Sequence, residues 1–482
     1  MVLLLTDLDP ANPQVTHTAA VALLMAVWWL TEAIPIPATA LLPMVLFPLL
    51  GIMNGNKVAA EYFNHIIFLF VGGFIVALAM QKWNLHRRIA LRTMLLTGSS
   101  PRRVLLGFML ATAFLSMWIS NTATTMMIVP IALAVIMQLR ESSDTSASGR
   151  FAVGLLLGIA YSASVGGLAT LIGTPPNLAF ARILTTTFPE APEITFAQWM
   201  LFALPVSVIF LALIWWLLGF MYARGSHVRL KPDAFRTQLK ELGPMSYEEK
   251  AVSLLFAILA LLWLTRADIV ISEFTIPGWS NLFPEPKFIN DGVVAIIIAV
   301  VLFLIPSKSK PGERLIDWET AQQLNWGIVI LFGGGFALAA GFRESGLSVW
   351  IAQQLSWLGE VHPIFTVSGV STLLTFLTEL TSNTATTQIV LPLLGSLAVA
   401  THTNPLLLMI PATLSASCAF MLPVATPPNA IIFGTGEVKM SDMVRVGIIL
   451  NLLGVVIITA LMFILGLVVF GIDLSHLPTW AG

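Results

Sequence analysis

The sextet Ser120-Asn121-Thr122-Ala123-Thr124-Thr125 occurs twice, because Ser382-Asn383-Thr384-Ala385-Thr386-Thr387 repeats it letter for letter 262 positions later. Its hydroxyls and the Asn carbonyl oxygen are neutral ligands for a hard cation. The Asn NH₂ and the hydroxyl hydrogens are donors to an anion. One Asn can therefore hold a cation with its oxygen and a carboxylate with its nitrogen. A second pair, Thr174-Pro175-Pro176-Asn177 and Thr426-Pro427-Pro428-Asn429, lies 252 positions apart. Adjacent prolines donate no backbone hydrogen bonds and push the preceding residue out of the helical region. Inside an apolar span they unwind it and free carbonyls that suit Na⁺. The plainer readings are an N-cap for the hydroxyls and a kink for the prolines. Capping explains one hydroxyl, not an identical sextet in two places.

The charge around these motifs narrows the chemistry. There is no charged residue from 104 to 139 or from 151 to 181, and Glu379 is the only one from 361 to 436. A dianion entering such a site is badly desolvated unless cations enter with it. Cations held by neutral oxygens supply that charge, so the absence of an Arg or Lys clamp points to sodium coupling. Arg182, five residues past Asn177, reads as a snorkelling or structural cation. Glu379 and Glu32 read as hydrogen-bonded structural acids, with a proton or cation ligand as the alternative at Glu379.

The elements that position these residues are membrane spans. Of 482 residues 57% are hydrophobic and 10% charged, against about 25% charged in a soluble domain. Apolar runs cover 15–31, 36–53, 64–81, 104–139, 151–185, 197–223, 250–267, 290–306, 326–342, 361–400, 405–433 and 446–472. Their lengths suit helices rather than barrel strands. A net charge of −1 implies no polyanion partner, so no nucleic acid is expected. The lone Cys418 excludes an internal disulfide and a multi-cysteine metal site. No cleavable signal peptide is evident, and Met1 to Leu5 reads as the last turns of a span. With the 224–250 loop in the cytoplasm, 19 of the 24 Lys and Arg fall on that side, which fixes the orientation.

Two segments break the alternation. As one helix, the 36 residues of 104–139 would run about 54 Å, far beyond a ~30 Å core. A re-entrant hairpin with Ser-Asn-Thr at its tip fits, and 361–400 has the same shape. Five crossings separate the hairpins, so one dips in from each side. Gly72-Gly73-Phe74 and Gly334-Gly335-Phe336, like Pro130 and Pro392, are again 262 apart. The fold expected is an all-α polytopic membrane protein of two inverted repeats with re-entrant hairpins and broken helices. The first repeat is 1–223, with hairpin 104–139 and broken span 151–185. A cytoplasmic linker follows at 224–250. The second repeat is 251–482, with hairpin 361–400 and broken span 405–433. Surface helices are expected at 82–98 and 343–358, the first interfacial through Lys82, His86, Arg87, Arg88 and Arg92.

The doubled motifs, with Trp29-Leu30-Thr31-Glu32-Ala33-Ile34-Pro35, resemble the divalent anion/sodium symporter family over roughly residues 15 to 472. The resemblance implies a homodimeric inner-membrane carrier whose scaffold and transport domains move in an elevator fashion. It places one sodium at Ser116, Ser120, Asn121 and the Gly173 carbonyl. It places another at Thr378, Thr381, Asn383 and the Ala425 carbonyl, with Thr381 contributing through its backbone. Substrate carboxylates would meet Asn121, Thr122, Ser382, Asn383 and Thr384, with Thr174, Pro175, Thr426 and Pro427 closing the pocket. The expected activity is Na⁺-coupled symport of a C4-dicarboxylate such as succinate. A dicarboxylate exchanger and a sulfate or citrate carrier stand as alternatives. A membrane enzyme lacks any nucleophile–base pair or metal-spaced cluster in the spans, and a channel fits paired hairpins poorly.

Overall fold

The computed structural model describes residues 7–98, 100–142, 145–223, 233–271, 274–355 and 361–482. The expected span end at Met1–Leu5, the first part of the 224–250 loop and the last residues of the 343–358 helix lie outside the described residues. The chain opens with α1 (Pro13–Thr31), α2 (Ile36–Thr39), α3 (Leu42–Leu49), α4 (Gly55–Tyr62), α5 (His65–Lys82) and α6 (Leu85–Thr97). Then come α7 (Pro101–Ser116), α8 (Asn121–Ser142), α9 (Thr145–Leu168), α10 (Pro175–Thr187) and α11 (Phe196–Met221). After α12 (Asp233–Glu241) and α13 (Tyr247–Leu264), two short antiparallel strands pair Ile269 with Ile276. The remaining helices are α14 (Asp291–Leu304), α15 (Trp318–Ala321), α16 (Trp326–Glu344), α17 (Leu347–Leu355), α18 (Pro363–Leu377) and α19 (Asn383–Ala400). The chain closes with α20 (Pro405–Ser415), α21 (Pro427–Gly434), α22 (Met440–Leu461) and α23 (Leu467–Val469). Among the described residues eight helices are long and apolar enough to cross a membrane. The apolar run 36–53 is no single rod, since Pro37, Pro43 and Pro48 leave it as the short α2 and α3.

The two Ser-Asn-Thr motifs sit at helix–turn–helix tips. α7 and α8 meet at residues 117–120, and α18 and α19 at 378–382. Pro101 starts α7 and Pro363 starts α18, each at a first-turn position where its missing N–H costs nothing. With 16 and 15 residues, these arms reach only about 22–24 Å at the helical rise, short of a ~30 Å core.

The two Pro-Pro motifs break helices as the missing donors require. The chain leaves the helix between Leu168 and Pro175, and again between Ser415 and Pro427. The motif Asn braces each break from behind. Asn177 Nδ2 donates to the carbonyls of Gly167 at 3.2 Å and Thr170 at 2.8 Å. Asn429 Nδ2 donates to Ala419 at 3.2 Å and Leu422 at 3.0 Å, again ten and seven residues back. Both side chains are fully buried.

Close helix crossings depend on the glycine pairs. A Cβ on Gly72 would lie 2.6 Å from that of Ala295 on α14, and one on Gly334 would lie 2.3 Å from the Ala40 carbonyl after α2. Equivalent glycines thus admit different partners.

The basic stretch beginning at Lys82 divides. Arg88 turns inward and grips the Glu249 carboxylate of α13 at 2.8 and 3.0 Å. Lys82 pairs with Asp317 and, at 3.0 Å, with Glu313. Only Arg87 and Arg92 remain for the interfacial role expected of α6.

The Lys82 ammonium and the Thr320 N–H hold the Asp317 carboxyl down to about 2. A carboxyl depressed in the fold contributes stability that is present above its unfolded value and lost as pH falls through the folded one. The melting gap between wild type and Asp317→Asn should therefore narrow as pH falls towards and below 2. The variant should melt lower than wild type at pH 6. Equal melting at pH 6 would show that the Lys82 contact carries no stability.

Candidate functional site

The tips and the breaks converge on one cavity of about 380 Å³. Ser120, Asn121 and Thr122 line it from the first tip, and Thr381, Ser382, Asn383 and Thr384 from the second. Gly173, Thr174 and Pro175 join from the first break, and Ala425, Thr426 and Pro427 from the second. Ser116 and Thr378 lie one layer behind the wall, hydrogen-bonded to the tip asparagines. The structure thus brings together the residues expected at the two sodium sites and the substrate pocket. It also adds Trp29, Leu30 and Glu32 from the end of α1, Trp118 from the first tip and Ile328 from the first turn of α16. Among the described residues Glu32 is the one charged residue on the wall, and its backbone is left-handed at φ 48°.

The first oxygen cluster surrounds the amide of Asn121. Ser116 Oγ lies 2.5 Å from Asn121 Oδ1 and 2.7 Å from the Ala163 carbonyl. The same end of the amide lies 3.1 Å from the Ala163 oxygen and 3.3 Å from that of Gly173. With oxygen there, the amide faces only other oxygens. Turned over, its NH₂ donates to all three.

The second cluster repeats the pattern. Thr378 Oγ1 lies 2.6 Å from Asn383 Oδ1 and 2.8 Å from the Ala416 carbonyl. Thr381 is different, because its hydroxyl bonds the Leu377 carbonyl at 3.0 Å and lies 2.5 Å from that of Thr386. Its hydroxyl is thus engaged on two sides. The tip serines also cap their helices, Ser120 accepting from Ala123 N at 3.3 Å and Ser382 from Ala385 N at 3.5 Å. Capping and site-building share the same residues. The donor set of amide, hydroxyl and carbonyl oxygens fits Na⁺, and no group of three His, Cys, Asp or Glu among the described residues could hold a metal ion.

Sequence reasoning missed the Ala163 and Ala416 carbonyls. The signal was there: Ser162-Ala163-Ser164 recurs as Ser415-Ala416-Ser417, 253 positions on. All four flanking serines are buried with unpartnered hydroxyls. Trp29, Leu30 and Glu32 belong to the early motif that carried the resemblance, without a site role expected of them, whereas Ile328 gave no signal.

Glu379 is structural. Its Oε1 accepts from Phe420 N at 2.7 Å, Met421 N at 2.9 Å and Asn451 Nδ2 at 2.7 Å. Its Oε2 accepts from Leu422 N at 3.0 Å. It thereby carries the unwound stretch that leads to Ala425. The first break is held without a charge, by Thr170, whose hydroxyl donates to the Met117 carbonyl at 2.5 Å and accepts from Gly173 N at 3.0 Å. Arg182 lies away from the wall, paired with Glu61 at 2.7 Å.

Neutral oxygen clusters at paired hairpin tips, meeting broken helices inside a bundle of spans, define a membrane carrier. The chain belongs to the divalent anion/sodium symporter family, matching the sodium:sulfate symporter transmembrane region over residues 1–472. It is 45% identical over 483 residues to the sodium-dependent dicarboxylate transporter SdcS of Staphylococcus saprophyticus, covering 99% of this chain and 91% of the relative. It is also 45% identical over 468 residues to SdcS of Staphylococcus aureus MRSA252, covering 95% and 88%. The fold is similar to that of the Alcanivorax borkumensis YdaH transporter, with a TM-score of 0.62 at 15% identity over 93% of this chain and 99% of that one. The protein is thus a multi-pass transporter of the bacterial inner membrane.

Proposed function

We propose that the protein is a Na⁺-coupled symporter of C4-dicarboxylates of the succinate type. The observation that carries this reading is the pair of matching, uncharged oxygen clusters on one cavity. Na⁺ at each cluster turns a neutral wall into a positive one. The substrate carboxylates then meet the Asn121 and Asn383 amides, the Thr122, Ser382 and Thr384 hydroxyls and the starts of α8 and α19, whose free N–H groups favour anions. Without the ions, a dianion would have only neutral donors to offset its lost hydration. The relatives named as sodium-dependent dicarboxylate transporters support the same assignment.

The two clusters belong to two repeats inserted with opposite orientation, 1–223 and 251–482, joined through the linker 224–250. The wall residues at the ends of α1 and α16 lie on the side that the Lys and Arg bias assigns to the cytoplasm, so this cavity is the inward-facing one. Elevator-type movement of the hairpins and broken helices against a dimeric scaffold would carry the site to the other face.

Reconstituted protein should accumulate labelled succinate only when an inward Na⁺ gradient is imposed, and Na⁺ without substrate should not discharge that gradient. Uptake that ignores sodium but follows a preloaded dicarboxylate would replace symport by exchange.

A further inference from the structure

We propose that the junction of α6, α7 and α11 is a binding site for the headgroup of an anionic phospholipid of the cytoplasmic leaflet. Arg102 and Arg103 are exposed there, Arg92 is exposed on α6, and no acid pairs with any of the three among the described residues. This separates them from Lys82 and Arg88, which are held by carboxylates nearby.

The site is assembled from three elements. The Arg103 stem lies 3.3 Å from where a Cβ on Gly98 would stand, so it folds back against the end of α6. The Arg102 stem lies along α11 at Gly219, 3.7 Å from the equivalent point. The Arg102 carbonyl accepts from Trp215 Nε1 at 3.0 Å, which fixes this turn against the span. Beside it Trp216 is 64% exposed, and Leu96 at the tail of α6 is 87% exposed. Aromatic and aliphatic side chains at this level suit the acyl–headgroup boundary, and clustered guanidinium groups suit the phosphate above it.

The second repeat shows that the fold does not need these charges. The positions 262 residues on from Arg92, Arg102 and Arg103 are Gln354, Ile364 and Phe365. There α18 starts at Pro363 with no Lys or Arg in its first turn. Because Arg102 and Arg103 open the first hairpin, a lipid held at this point would anchor the arm that carries Ser116 and the first tip.

The test is uptake by wild type and by an Arg102→Gln/Arg103→Gln variant, in vesicles of phosphatidylcholine alone and of phosphatidylcholine with phosphatidylglycerol. Rates are normalised to correctly oriented protein. Wild type is expected to gain several-fold from phosphatidylglycerol, and the variant to lose most of that ratio. Arg314→Gln, a cytoplasmic arginine outside the junction, should keep it. An undiminished ratio in the double variant overturns the proposal. Should the variant be inactive in both lipids, the melting shift in detergent decides. Phosphatidylglycerol should raise the wild-type midpoint and leave the variant's in place, and equal shifts overturn the proposal. A shift of the same size with soluble glycerol phosphate would replace the lipid by a free phosphate ligand and also overturn it.

Discussion

An Asn383→Ala carrier is expected to fold, insert and take up no dicarboxylate, and Asn121→Ala should behave alike. In the proposed function each amide offers one atom to its cation cluster and the other to the cavity. Truncation therefore removes an ion ligand and an anion donor together. Hydrogen bonds to charged groups are worth about 1.5–3 kcal/mol each, so losing two costs roughly 3–6 kcal/mol, or about 10²–10⁴ in uptake at limiting substrate. Stability should barely change, since neither side chain packs the core and the serine beside each still caps the helix. Uptake, Na⁺ half-saturation and melting should be measured on one preparation. Wild-type uptake in either variant would reduce the tips to helix caps and remove the basis for the proposed function.

The second large effect is expected at Glu379, where Leu should destroy both fold and transport. Removing its carboxylate leaves the N–H groups of Phe420, Met421 and Leu422 and the amide of Asn451 without an acceptor. An orphaned buried donor costs about 1–3 kcal/mol, so four cost on the order of the whole stability of a typical domain. Glu379→Gln retains an acceptor oxygen but brings its own NH₂ against those donors. It should insert, melt lower, and need more Na⁺ for half-maximal uptake, because the Ala425 carbonyl hangs from the same stretch. A Gln variant with unchanged sodium dependence would separate this acid from the second cluster.

Much of this site was legible because its polar residues sit where polarity is expensive. In hydrocarbon a repeated Ser-Asn-Thr or Pro-Pro stands out, and each copy vouches for the other. The role of Asn177 was harder to see, because a brace and a ligand need the same residue. Only the bonds to Gly167 and Thr170 decide between them. Ala163 and Ala416 contribute backbone, which leaves no mark in residue type. Glu32 was read as a structural acid at a span end. Its place on the wall depends on how α1 packs, a long-range matter that periodicity does not encode. Lys82 and Arg88 were misplaced for the same reason. A basic helix looks interfacial until its partners Asp317 and Glu249 arrive from more than 150 residues away.

The wall of the cavity holds a single fixed charge, Glu32 at its rim. Moving one elementary charge through a membrane potential takes about 2.3 kcal/mol per 100 mV. In the proposed elevator movement the neutral oxygens of the two clusters do almost no electrical work when the site crosses unoccupied, which leaves the Glu379 carboxylate behind the second tip as the charge that travels with it. The voltage sensitivity of the proposed cycle then falls on the balance of sodium, substrate carboxylate and Glu379 charge in each direction.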